Sequence, residues 1–171
     1  MSPARLAGDR VSLRPAEEQD LERIREIMAC PGVAPWWWTF DPAECLAEIR
    51  SPGPECRPYV IEHDGEVVGL IQYGEELTRG YRHASIDLAL HDDHQGRGLG
   101  SDALRTMARH LFEEAGHHRI TIDPAVVNRR AVRCYESVGF RPVGVMRAYE
   151  QGADGTWHDG LLMDLLAEEL R

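Results

Sequence analysis

The stretch His91-Asp92-Asp93-His94-Gln95-Gly96-Arg97-Gly98-Leu99-Gly100 joins a strand-like run over residues 85–90 to a helix-like run over residues 101–115. Three glycines within five residues open that helix. Glycine takes φ > 0 and lets the backbone approach a ligand closely, while the first turn of a helix presents unpaired N–H groups with a partial positive charge. Together these make an anion seat suited to phosphate. Taken alone, such a segment is equally a tight turn. The spacing of Gln95, Gly98 and Gly100 is not the Gly-x-Gly-x-x-Gly of a dinucleotide fold, and no Gly-Lys-Ser/Thr follows to make a P-loop.

The rest of the composition narrows the class. A chain of 171 residues fits one domain, 1–171, with a core that needs no staples. Its 29 acidic against 19 basic residues give a formal charge of −10, which argues against nucleic acid or an anionic membrane as partner; it would steer a cationic substrate toward the protein, and equally fits a surface that only keeps the protein soluble. Cys30, Cys45, Cys56 and Cys134 have no Cys-x-x-Cys pairing, and the histidines are scattered outside ligand spacing, so a reduced compartment and no metal are expected. The N-terminal residues Met1-Ser2-Pro3-Ala4-Arg5 lead into no apolar segment, and no apolar run reaches bilayer length. The expectation is a soluble, cytoplasmic protein.

Periodicity supplies the elements. Residues 10–14 alternate as a short strand that Pro15 ends, and Leu21, Ile24, Ile27 and Met28 recur at helical spacing within 17–30. Asp41 is placed to cap a second helix over 42–50. Between them, Trp36, Trp37 and Trp38 cannot all face one core, so at least one is expected at the surface or in a cleft. Residues 57–63 and 66–75 read as a hairpin around Asp64-Gly65, and 82–90 as the strand entering the glycine turn. In the long helix, Leu104, Met107, Ala108, Leu111 and Phe112 form an apolar stripe that Gly116 closes. A strand over 119–123 stopped by Pro124, a helix from Arg129 to about Ser137 capped by Asn128, and a final strand pair over 140–150 and 157–165 complete an α/β sandwich with a mixed sheet.

A second motif lies about thirty residues beyond the first. Asn128-Arg129-Arg130-Ala131-Val132-Arg133-Cys134-Tyr135-Glu136-Ser137-Val138-Gly139-Phe140 has the pattern Asn-x-x-Ala-x-x-x-Tyr-x-x-x-Gly-Phe. The two motifs, in this order and spacing, resemble the signatures of the GNAT superfamily of acyl-CoA-dependent N-acetyltransferases, over roughly residues 10–166. The resemblance implies the GNAT fold, a mostly antiparallel sheet of about seven strands flanked by about four helices, with acetyl-CoA as cofactor. It further implies that Leu88, Ala89 and Leu90 line the pantetheine and meet the thioester carbonyl. Gln95, Gly96, Arg97, Gly98, Leu99, Gly100 and Ser101 would hold the pyrophosphate, and Asn128 and Ala131 would contact the cofactor.

Acetyl transfer to an amine needs reactants held together, a neutral amine, donors at the developing oxyanion and a proton for the departing thiolate. In the superfamily the residue matching Tyr135 lies near the thioester sulfur as general acid, a role a phenol can fill; the alternative is packing beside Phe140. Asp87 interrupts the face of a strand where an unpartnered carboxylate is costly, and Asp123 ends the next strand. A salt bridge to an arginine for Asp87 and an Asx turn for Asp123 are the structural alternatives. More narrowly, Ile86-Asp87, Thr121-Ile122-Asp123-Pro124, Trp36-Trp37 and His158-Asp159-Gly160 make the chain similar to the aminoglycoside 6′-N-acetyltransferases. There, acids matching Asp87, Asp123 and Asp159 line the aminoglycoside pocket and the tryptophan pair lies at its edge. An acidic, aromatic-walled cleft suits a polycationic aminosugar.

The expected function is therefore direct acetylation of an aminoglycoside amine, at 6′, in a ternary complex by a monomer or homodimer. Cys134, on a helix, is read as core rather than as a ping-pong nucleophile. The alternatives are acetylation of another small amine or a protein N-terminus, and a non-catalytic acyl-CoA sensor.

Overall fold

The glycine turn sits at the centre of an eight-stranded mixed sheet of order β1-β2-β3-β4-β5-β6-β8-β7. The computed structural model describes residues 5–171, so residues 1–4 of the N-terminal reading lie outside the described residues. The strands are β1 (Leu6–Ala7), β2 (Ser12–Pro15), β3 (Arg57–His63), β4 (Glu66–Glu76), β5 (His83–Leu90), β6 (Arg119–Ile122), β7 (Arg141–Gln151) and β8 (Trp157–Leu166). The helices are α1 (Leu21–Met28), α2 (Pro42–Arg50), α3 (Leu99–Glu113) and α4 (Arg129–Val138). Every ladder is antiparallel except β5 with β6.

The expectation of about seven strands is corrected to eight. Leu6–Ala7 pairs with Leu13 and Ser12 across a tight turn, and two residues are too few to show a period in sequence. What fixes this hairpin is distant in sequence. The carboxylate of Asp102, in the first turn of α3, accepts the backbone N–H groups of Asp9 at 3.2 Å, Arg10 at 2.8 Å and Val11 at 3.0 Å. The β3–β4 hairpin turns on Asp64 and Gly65, with φ of 50° and 80°, as its dipeptide foretells.

Two apolar layers clamp the sheet. On one face Leu104, Met107, Ala108 and Leu111 of α3 and Val132 and Val138 of α4 pack on Leu13, Ile61, Ile71 and Ile86. On the other face Ile24, Ile27 and Met28 of α1 and Cys45 of α2 pack on Val60, Leu70 and Ala89. Fully burying one such large aliphatic side chain contributes about 1.5–3 kcal/mol, so the helices are held chiefly by these stripes. α4 is capped as its sequence indicates, the Asn128 side chain accepting from Ala131 N–H at 3.2 Å and Gly139 closing the helix at φ 118°. No helix among the described residues is long and apolar enough to cross a membrane.

Candidate active site

The site is made where the sheet divides. β5 and β6 are paired only through Ala84 with Ile120 and Ser85 with Thr121. Beyond that point β6 follows β8: Leu161 N–H donates to Pro124 C=O at 2.8 Å, and Ala125 bridges to Gly160. β5 instead stays with β4, out to the pair of Leu90 with Gly69. Pro124, with no N–H to give, stands where the two strands part. Between them opens a cleft of about 580 Å³ lined by 26 residues from Gly32 to Glu150.

At one end the cleft has the character of a phosphate seat. Gly96 and Gly98 have φ of 70° and 79°, the left-handed conformation that glycine takes without strain. Gly98 is the N-cap of the fifteen-residue α3, so its first-turn N–H groups face outward with Ser101 beside them. A Cβ on Gly100 would come within 3.3 Å of Leu90 Cδ1, so the turn lies close against β5. Gln95 ties the two together, donating to Leu90 C=O at 2.8 Å. Further in, the inner edge of β5 over Leu88, Ala89 and Leu90 has no strand opposite it, the arrangement that accepts an extended ligand as an added strand.

The other end is acidic and aromatic. Asp87 and Asp123 line it from β5 and from just beyond β6, with Gln72, Tyr149 and Glu150 around them, and Trp36 and Trp37 line the same cleft. Solvent reaches Asp87 through the cleft mouth while protein closes it in elsewhere; this recess, with Asp123 nearby, pushes its carboxyl up to about 6, against a hydrogen bond from Gln72 that pulls it down. Tyr149 donates its hydroxyl to the Asp123 carboxylate. That bond, then burial, lifts the Tyr149 phenol well above its ordinary range. Burial and then Asp123 raise Glu150 as well. Tyr135 is 8% exposed and lines the cleft between the two ends. Burial foremost, then Cys134, Asp87 and Asp123, hold its phenol above the ordinary tyrosine value, so the resting group carries the proton a general acid needs.

The tryptophan loop is tied down from both sides: Gly32 N–H donates to Asp92 at 3.0 Å, and Arg130 donates to Gly32 C=O at 3.4 Å. Trp36 and Trp38 are about two-fifths exposed, whereas Trp37 packs on the α1–α2 layer and reaches the cleft with its edge.

The model of the Acetyltransferase (GNAT) family matches residues 21–140. The chain belongs to the GNAT acetyltransferase family. The aminoglycoside N(6′)-acetyltransferase type 1 of Klebsiella pneumoniae is 29% identical over 159 residues, covering 82% of this chain and 78% of that protein. The spermidine N(1)-acetyltransferase of Escherichia coli K12 is 24% identical over 159 residues, covering 90% and 84%. Among solved structures, RimJ of Mycobacterium smegmatis in complex with CoA-disulfide superimposes with a TM-score of 0.84 at 28% identity, covering 98% of this chain and 90% of that one.

GNAT enzymes use acetyl-CoA, and the glycine seat, the unpaired β5 edge and the cleft between them fit that cofactor. Of the residues singled out in sequence, the cleft gathers Trp36, Trp37, Asp87, Leu88, Ala89, Leu90, Gln95, Gly96, Gly98, Gly100, Ser101, Asp123, Asn128, Ala131 and Tyr135. Three do not line it. Leu99 is fully buried in the core, because the first residue of α3 turns its side chain inward. Arg97 is outside the lining, its guanidinium 3.5 Å from His94 Nδ1. Asp159 lies outside the lining, its carboxylate accepting Ala148 N–H at 2.8 Å.

Sequence reasoning missed Gln72, Tyr149 and Glu150. Gln72 carries the same signal as Asp87, a polar residue among apolar ones in a central strand, and the two are cross-strand partners. Tyr149 had no such signal, since an unbroken period-two reading of 140–150 hides the irregularity that aims it.

Proposed function

We propose that this GNAT enzyme acetylates an amine of a polycationic acceptor, in first place the 6′-amine of an aminoglycoside, by direct attack in a ternary complex. The observation that carries the reading is the convergence of Asp87, Asp123 and Glu150 with the Tyr149 hydroxyl in a cleft that two tryptophans also line. Such a pocket concentrates cations and gives an aminosugar ring apolar walls.

When bound, acetyl-CoA supplies an activated acetyl group and a thiolate leaving group. The chain's own residues supply the rest. The N–H groups at the start of α3 neutralise phosphate charge, and the inner edge of β5 aligns the acyl end, contributing the positioning that makes the transfer effectively unimolecular. Asp87 and Asp123 hold the acceptor as an ammonium and take its proton, directly or through water. With the thioester bound, the neutral amine would attack the acetyl carbon and the proton left on the nitrogen would pass to the Asp87–Asp123 pair or to water, while Tyr135 would protonate the departing sulfur and recover its proton from solvent. The whole chain acts as one acyltransferase domain on a small cationic amine in the cytoplasm.

The test is release of free CoA thiol from acetyl-CoA with five acceptors: kanamycin, tobramycin, an aminoglycoside with a hydroxyl at 6′, spermidine, and a peptide with N-terminal alanine. Turnover with the 6′-amines and not with the 6′-hydroxyl compound supports the assignment. Turnover only with spermidine or the peptide removes the aminoglycoside and keeps the chemistry. Binding of acetyl-CoA with no release to any amine makes the chain a sensor.

A further inference from the structure

The segment that brings Tyr149 to Asp123 is irregular in a specific way. In the β7–β8 ladder Met146 pairs with Gly160 and Glu150 with His158, so three residues, Arg147, Ala148 and Tyr149, stand opposite Asp159 alone. This is a bulge with two extra residues, and at its apex Ala148 has φ 49°, a left-handed conformation unfavourable for a residue with a Cβ. Backbone of this kind persists where its surroundings hold it. What holds it is Asp159, the residue facing the bulge, whose Oδ1 accepts Ala148 N–H at 2.8 Å.

The next residue supplies the seat for the ring. A Cβ built on Gly160 would lie 2.7 Å from Tyr149 Cδ1 and 3.3 Å from Cγ, so the tyrosine ring rests directly on the bare backbone of β8. The same two residues are knit to the segment that follows β6 and carries Asp123. Val126 N–H donates to Asp159 C=O at 3.0 Å, and Gly160 bridges to Ala125. The bulge, the ring and the carboxylate are thus referenced to one short piece of backbone, and the Tyr149 hydroxyl reaches Asp123 from there.

We infer that Asp159 and Gly160 are positioning residues that hold Tyr149 against Asp123, and that Asp159 serves the amine site through the backbone of Ala148 and not as a ligand of the amine. This rests on the reading of the Asp87–Asp123 end as the acceptor site, and it differs from the role that resemblance alone assigns to Asp159. The distinction is chemical. A carboxylate that binds an ammonium needs its charge, whereas an acceptor for one N–H needs only an oxygen, which asparagine keeps.

The test compares D159A, D159N, Y149F and the D159A/Y149F double variant, using whichever amine the wild-type enzyme acetylates. That choice keeps the identity of the acceptor separate from the role of Asp159. Y149F and D159A are each expected to lower kcat/KM for the amine by about tenfold, the size of one hydrogen bond, with KM for acetyl-CoA unmoved. D159N is expected to stay within about twofold of wild type, and the double variant to be no worse than Y149F, because the two residues act in one chain of contacts. Loss in D159N as deep as in D159A, or a double variant that multiplies the two losses, overturns the inference. A readout independent of turnover is the ¹³Cζ resonance of Tyr149, assigned by its absence in Y149F. It should keep its hydrogen-bonded position in D159N and move to that of a free phenol in D159A; an unmoved resonance in D159A is likewise fatal.

Discussion

Asp87 and Asp123 stand level with each other, each two residues beyond the pair of Ser85 and Thr121 that ends the only parallel ladder of the sheet. Had the ladder continued, the two would be neighbours on adjacent strands, an unfavourable arrangement for two acids. The divergence of β5 from β6 turns that liability into a paired anionic wall whose complement is a cation.

Asp87 bears the cost of this arrangement. Its carboxyl is raised from 3.8 to about 6, so the fold disfavours its ionised form and the group lowers stability as pH rises through the window from about 4 to about 6. Asn at this position does not titrate. D87N should therefore melt above wild type at pH 8, with the gap closing by pH 4 in thermal scans. Because water reaches Asp87 through the cleft, the gap is modest.

The same substitution should be costly in function. D87N at pH 7.5 is expected to lower kcat/KM for the amine by about 10–100-fold, with KM for acetyl-CoA changed less than about twofold, since a desolvated ammonium loses its counter-charge. Steady-state kinetics with each substrate varied in turn separates the two; equal losses in both would count against an acceptor role.

Tyr135 is predicted to act on the chemical step. Y135F should lower kcat by about 10²-fold, the lower end of what a general acid contributes, with both KM values near wild type. Because the phenol is held above its ordinary value, its protonated form persists through the alkaline range, and wild-type kcat should show no basic limb from this residue up to pH 9. A limb near pH 8 that disappears in Y135F would contradict the direction of that shift.

Gly98 gives the converse kinetic pattern. G98A forces a Cβ into φ 79° and within 3.3 Å of Arg10 Nη1, costing about 1 kcal/mol in strain and displacing the first N–H groups of α3. KM for acetyl-CoA should rise about tenfold, with the amine KM little altered, because the site is electrostatic and depends on where those groups point. A variant that moved only the amine KM would show the glycine seat to be misassigned.

Asp102 tests the fold apart from the chemistry. D102A leaves the N–H groups of Asp9, Arg10 and Val11 without their acceptor and should destabilise by about 3 kcal/mol, read as a lowered urea midpoint at unchanged m-value.

Sequence carried the cofactor half of the site further than the acceptor half, for a physical reason. The cofactor end is built from contiguous chain: Leu88 to Ser101 is a strand, a turn and a helix start whose conformations are set by local glycine chemistry and a local cap. The acceptor end is assembled across the sheet. Gln72 joins it through register with Asp87, and Tyr149 through a count of residues against β8 that no single strand records. Asp159 was legible as an acid in the right motif but not in its direction, since its partner is the backbone of a bulge. Leu6–Ala7 escaped notice because two residues show no period, and the turn that pairs them with β2 is held by Asp102, over ninety residues away.

β7 is exposed along almost its entire length, with no helix laid over it, yet it delivers Tyr149 and Glu150 to the cleft. Substitutions there disturb no buried layer, whereas those in β5 or α3 disturb the core and the phosphate seat together. The share of the acceptor end that β7 contributes can therefore be altered at little risk to folding, whereas the share that Asp87 and Gln72 contribute is bound into the core strands that also carry the donor end.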